Sequence, residues 1–103
     1  MSEQQKKIED HNQSIEEFIA LANEMTEKKG RDIKLVSAAL MAASGIYATF
    51  MAAGNNGYLA PGGVDKVVEL YQKNLTYIQE RKKQELEAKG LQAKPISKIA
   101  GDA

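Results

Sequence analysis

The chain has 103 residues, the length of one domain with a modest core. It contains no cysteine, which excludes disulfides, thiolate metal sites and thiol nucleophiles. Its 14 basic and 14 acidic residues cancel, so it lacks the overall positive charge that draws a protein to nucleic acid or to an anionic membrane. A polar, charged N-terminus without an apolar stretch predicts a cytoplasmic protein.

The first predicted helix begins after Ser2, because Ser2 and Gln5 have the spacing of a capping box. Apolar residues then recur every three or four positions and share one side of the helix: Ile8, Ile15, Phe18, Ile19, Ala22 and Met25. Acidic residues dominate its other sides, whereas the rest of the chain is basic. We therefore expect an acidic helix to face a basic one, within one molecule or between two. Lys28, Lys29 and Gly30 end the helix.

The second predicted helix runs from Ile33 to Ala53, with Asp32 as its cap. No charged residue lies between Leu35 and Ala53, and about 20 apolar residues are enough to cross a bilayer. Many of these residues are alanine, serine or glycine, which keeps the hydropathy moderate and favours a buried middle helix over a membrane span. We therefore expect membrane association to be unlikely.

The connection from Gly54 to Gly63 is rich in turn residues and is longer than most links between bundled helices. Tyr58 and Leu59 are its apolar residues. They are expected either to pack under the end of the bundle or to form a binding loop.

The third predicted helix runs from Val64 to Lys89. Its apolar side consists of Val64, Val68, Tyr71, Leu75 and Ile78, widened by Val67, Leu70 and Leu86. Gly90 ends it, and residues 91–103 are predicted to be a mobile tail. The predicted fold is all-α: residues 1–90 form one domain, a three-helix up-down-up bundle with long amphipathic outer helices and an apolar middle helix.

No group of residues indicates catalysis. His11, the one histidine, lies between Asp10 and Asn12 on a polar stretch, without a second imidazole to complete a metal site. The basic run Arg81–Lys83 is interleaved with Glu80, Glu85 and Glu87, which predicts ion pairs within the helix and no nucleic-acid binding. The sequence predicts a protein that is not an enzyme, with no cofactor and no metal.

Several polar side chains are expected to face inward and to tie one helix to the next: Asn23, Ser37, Ser44, Tyr47 and Tyr71.

Two segments, Phe18–Asn23 and Val36–Met41, read Phe-Ile-Ala-Leu-Ala-Asn and Val-Ser-Ala-Ala-Leu-Met. Together with Tyr71 and Leu75 four residues apart, this pattern resembles a family of small bacterial proteins classed as a domain of unknown function. The resemblance runs from about Ile15 to Ile78. It departs at Ser44-Gly45-Ile46-Tyr47, where a more polar, arginine-containing continuation is expected. It implies a soluble helical architecture and no catalytic or ligand-binding residues.

We therefore expect a module for protein interaction or self-association, forming a homodimer through the first and third helices. The alternative is a small-molecule binder with an apolar pocket between helices, lined by Met41, Tyr47, Met51 and Tyr71. Across both hypotheses, the candidate interaction or pocket residues are Tyr47, Met51, Tyr58, Leu59, Tyr71, Ile78 and Leu86.

Overall fold

The computed structural model describes residues 2–90 of the chain. This part contains three α-helices and no strand: α1 (Glu3–Glu27), α2 (Ile33–Ala53) and α3 (Pro61–Ala88). The predicted all-α fold of three helices is thus confirmed. The predicted tail at residues 91–103 lies outside the described residues.

The predicted capping box at the start of α1 is confirmed. The backbone N–H of Gln5 donates to Ser2 Oγ at 3.1 Å, and the backbone N–H of Ser2 donates to Gln5 Oε1 at 3.3 Å. At the other end Gly30 adopts a positive φ of 67°, and the N–H of Arg31 donates to the carbonyl oxygen of Met25 at 3.1 Å. The left-handed glycine turns the chain out of α1 and towards α2.

Helix α2 has the predicted bounds. Asp32 Oδ1 accepts the backbone N–H of Lys34 at 3.4 Å and caps the first turn. Gly54, with φ at 77°, ends the helix, and its N–H donates to the carbonyl oxygen of Phe50 at 2.8 Å.

Helix α3 begins at Pro61 and not at Val64 as predicted. Gly63 and Val64 both donate their N–H groups to the carbonyl oxygen of Ala60, at 2.8 and 3.0 Å. Proline suits the first helical position, because its φ is already helical and its missing N–H would have no partner there. The predicted loop therefore ends at Ala60.

Contacts along the chain divide it into two units, one ending at Tyr58 and one beginning at Leu59. The first unit holds α1 and α2, which contact each other, and the second holds α3. The grouping of residues 1–90 into one domain remains a prediction.

In the first unit a side chain is fully buried only near the turn between α1 and α2, while Ala48, Thr49 and Ala53 further along α2 are partly covered. Val36 is the one buried side chain among residues 2–90, at 6% exposure. Three α1 residues close to the turn are partly covered: Ala22, Met25 and Thr26. The rest of α1 is exposed, so within this unit α1 covers α2 only beside the turn.

The polar residues expected to lie inside the fold are also exposed in the single chain. These residues are Asn23, Ser37, Ser44, Tyr47 and Tyr71. Because α1 covers α2 only beside the turn, no packed interface forms around the first four. The prediction that they link helices from buried positions is wrong for the isolated chain.

Candidate interaction surfaces

The apolar side of α1 is an exposed surface, which we call the α1 stripe. Its members are between 47% and 61% exposed: Ile8, Ile15, Phe18 and Ile19. The other sides of α1 carry most of its seven acidic residues. Within residues 2–90 none of these carboxylates forms an ion pair. The helix therefore offers one apolar side and a surrounding negative surface.

The α2 surface has a different character. Eight large apolar side chains of this helix are exposed by 40% to 76%: Ile33, Leu35, Leu40, Met41, Ile46, Tyr47, Phe50 and Met51. The rings of Tyr47 and Phe50 lie against each other, with centroids 5.8 Å apart and planes at 47°. The predicted site residues Tyr47 and Met51 thus lie together on an exposed apolar helix.

The size of the α2 surface is unusual for an isolated chain. If each of these side chains exposes about 100 Å², roughly half of what a large side chain can bury, the total is on the order of 800 Å². The largest apolar patch of a typical monomer is about 300 to 600 Å². An area on the order of 800 Å² is what each partner contributes to a standard protein interface.

An open groove of about 580 Å³ lies at the C-terminal end of α2. Its lining residues are Ala42, Gly45, Ile46, Thr49, Phe50, Gly54, Asn55 and Gly57. The Thr49 hydroxyl already donates to the carbonyl oxygen of Gly45 at 2.9 Å, so the groove is mainly apolar. This groove does not include Met41, Tyr47 or Met51, which we predicted as pocket residues, and Tyr71 belongs to the other unit.

No sequence pattern was used to predict this groove. The available signal is the glycine spacing, since Gly45 and Gly54 leave space where side chains would stand. Gly57 also approaches α2 closely: a β-carbon there would overlap the carbonyl oxygen of Ala53.

The two apolar residues of the α2–α3 connection differ in exposure. Tyr58 is 86% exposed, so it does not pack under a helix end as one of our two interpretations required. Leu59 is partly covered, and its side chain lies 3.5 Å from where a β-carbon of Gly63 would be. Leu59 therefore packs against the first turn of α3.

The apolar side of α3 is a second exposed stripe, which we call the α3 stripe. Its members are 41% to 59% exposed: Val64, Val68, Tyr71, Leu75 and Ile78. Leu86, near the end of the helix, is partly covered. The predicted site residues Tyr71 and Ile78 thus lie on one side of α3.

The basic run on α3 makes different contacts from those predicted. Arg81 Nη1 donates to the Tyr77 hydroxyl at 3.2 Å, and its guanidinium carbon lies 5.9 Å from the Tyr77 ring centroid. Among the described residues, the single ion pair is Lys73–Glu69 at 3.3 Å. Within residues 2–90, the expected pairs of Arg81, Lys82 and Lys83 with neighbouring glutamates are not formed, and Arg81 contacts the tyrosine one turn away instead.

No set of three or more histidine, aspartate or glutamate side chains in residues 2–90 is placed to hold a metal ion. His11 is exposed on α1.

The sequence profile of a family described as protein of unknown function (DUF3144) matches residues 11–89. The chain belongs to the DUF3144 family. The DUF3144 match starts within α1, includes all of α2 and extends past the last residue of α3. The predicted resemblance to a family of unknown function is thus confirmed, and its range from Ile15 to Ile78 falls inside the match. No curated protein and no solved structure matches the chain.

Proposed function

We propose that this protein is a non-enzymatic self-association module, and that a second copy covers the α1 and α3 stripes. The observation that carries the proposal is the one-sided exposure of α1. An amphipathic helix in a protein gains most of its stability by packing its apolar side against a neighbour. Past the residues beside the turn, the α1 stripe has no such neighbour within its own unit.

The α3 stripe supports the same proposal. It presents the three- and four-residue spacing of association helices, and Ile78 at its C-terminal end is 41% exposed. In a homodimer with a two-fold axis, the same stripe of each copy can form the interface.

Charge favours pairing α1 of one copy near the end of α3 in the other. Helix α1 carries seven acidic residues against Lys6 and Lys7, and Arg81–Lys83 have no carboxylate partner within the described residues. Attraction between such exposed groups is weakened by salt, with a screening length of about 8 Å at physiological ionic strength. Association is therefore expected to weaken as salt rises.

Sedimentation equilibrium over a wide concentration range tests the proposal with a matched pair of variants. Ile15→Lys places a charge on the α1 stripe, whereas Gln13→Lys adds the same charge two residues away, on another side of α1. We expect the wild type and Gln13→Lys to dimerise and Ile15→Lys to dissociate at least tenfold more readily. Circular dichroism should show equal helix content in all three, because Ile15 is 47% exposed in the single chain.

A monomer mass for the wild type at every concentration, in low salt, would contradict the proposal. Equal dissociation of both lysine variants would show that the added charge acts through the net charge of α1 and not through the stripe.

The groove at the end of α2 favours a second candidate function, binding of a small apolar molecule. Gly45→Leu is the informative variant, since nothing lies within 4 Å of a β-carbon there and the leucine side chain would occupy the groove. If the groove is a binding site, titration with the apolar fluorophore 1-anilinonaphthalene-8-sulfonate should show one saturable site that Gly45→Leu removes. Binding that is unaffected by Gly45→Leu would assign the fluorophore to the general apolar surface.

A further inference from the structure

Helix α2 has the length and composition of a membrane-inserting helix. Its 21 residues reach about 31 Å at 1.5 Å per residue, close to the ~30 Å hydrocarbon thickness of a bilayer. Its most apolar window has a mean hydropathy of 1.6, and no charge lies between Leu35 and Ala53. A core helix of a globular protein meets the same criteria, so burial is what distinguishes the two.

Burial argues against a core helix in this chain. Only 6% of that window is buried, whereas the core helix of a soluble protein is mostly buried. The large side chains that remain exposed, from Leu35 and Ile46 on one side to Met41 on another, span roughly 240° of the helix circumference at 3.6 residues per turn. A single neighbouring helix covers one side of such a surface, but lipid chains cover all of it.

The ends of α2 differ in charge. Four cations precede or begin the helix, and we call them the basic turn: Lys28, Lys29, Arg31 and Lys34. Asp32, the one acid among them, accepts the backbone N–H of Lys34, and no ion pair involves these cations within the described residues. No charge follows Lys34 until Asp65. Cations at one end of an apolar helix are attracted to anionic lipid headgroups.

We propose that α2 inserts into a lipid bilayer, with the basic turn held at anionic headgroups. This goes beyond self-association, because it uses a different helix and a different partner. The basic turn can bind anionic headgroups although the net charge of the chain is zero, because headgroup attraction acts only within about a Debye length of the surface. The sequence favoured a buried middle helix over a membrane span because neighbouring helices were expected to cover α2. The exposed side chains of α2 do not support that expectation.

Vesicle flotation tests the proposal with the full-length chain. We expect the wild type to float with vesicles of phosphatidylcholine containing phosphatidylserine, and less with phosphatidylcholine alone. Ile46→Asp puts a carboxylate near the middle of α2, where a charge in hydrocarbon lowers partitioning on the order of a hundredfold. Gln13→Asp adds a carboxylate to α1 outside the α1 stripe and should float like the wild type.

The basic turn has its own control. Lys28→Gln with Lys29→Gln should lower binding to the anionic vesicles. Lys66→Gln with Lys89→Gln removes the same charge from α3 and the residue that follows it, and should not lower binding. Ile46 is 71% exposed, so equal circular dichroism of Ile46→Asp and wild type in buffer would show that the chain still folds.

A wild type that floats with neither vesicle would overturn the proposal. A dimer in that case would assign the α2 surface to a second copy, and a monomer would refute self-association as well. Equal flotation with both vesicles would overturn the role of the basic turn.

Discussion

Helices α1 and α2 are similar in length and contact each other, yet they expose different kinds of surface. Helix α1 is apolar on one side and charged on the others, whereas α2 is uncharged from Leu35 to its end. One partner helix can cover the apolar side of α1, because the other sides are charged and can remain in water. The apolar surface of α2 must be covered on several sides. The distribution of charge around a helix, more than its length, therefore indicates what can cover it.

The largest expected effect comes from Val36, the one buried side chain among the described residues. Val36→Asp buries a carboxylate without a partner and should lower the free energy of unfolding by about 3 to 4 kcal/mol. Leu40→Asp, one turn along and 40% exposed, should cost far less in the same chain. Urea denaturation followed by circular dichroism measures both. Equal losses would show that α2 is covered well beyond the turn.

A smaller effect, with the opposite sign, is expected at Gly45 in the middle of α2. Gly45→Ala should raise stability by about 1 kcal/mol, because alanine favours a helix over glycine and nothing lies within 4 Å of the added carbon. Thermal unfolding in buffer measures the change. A loss of stability together with weaker dimerisation would show that another helix packs closely at Gly45. In that case α2, like α1, would be covered by a partner helix, and the two helices would not differ as proposed.

The smallest expected effect compares the caps of the two helices. Ser2→Ala removes the acceptor of a reciprocal capping box and should cost about 1 kcal/mol. Asp32→Ala removes a single hydrogen bond of 3.4 Å and should cost about half as much. Hydrogen exchange at the first turn of each helix reports the two losses separately. The reverse order would mean that the start of α2 depends on its cap more than the hydrogen-bond lengths indicate.

The helices themselves could be predicted because their ends depend on local chemistry. Ser2 with Gln5, Asp32 and Gly54 each act on residues within one turn, so the sequence contains the whole interaction. The start of α3 was missed because Pro61-Gly62-Gly63 suits both a turn and a first helical turn, and the hydrogen bonds to the Ala60 carbonyl decide between them.

Burial and side-chain pairing could not be predicted in the same way. The composition of α2 predicts a covered helix, but coverage depends on how far a neighbour follows it, and α1 does so only near Val36. Similarly, Arg81 has both glutamates and Tyr77 within reach on α3, and its side chain contacts Tyr77. The predicted site residues Tyr47, Met51, Tyr71 and Ile78 lie on exposed apolar surfaces, but the sequence does not contain the partner that would cover them.

The measurement that tests self-association most directly is a search for contacts between copies at the α1 stripe. A sample mixing chains with ¹³C-labelled isoleucine and unlabelled chains gives isotope-filtered nuclear Overhauser effects only between different molecules. We predict such effects from the methyl groups of Ile15 and Ile19 to protons of the other copy, weakening as salt is added. Their absence at concentrations where the wild type sediments as a dimer would place the interface elsewhere and contradict the account of α1.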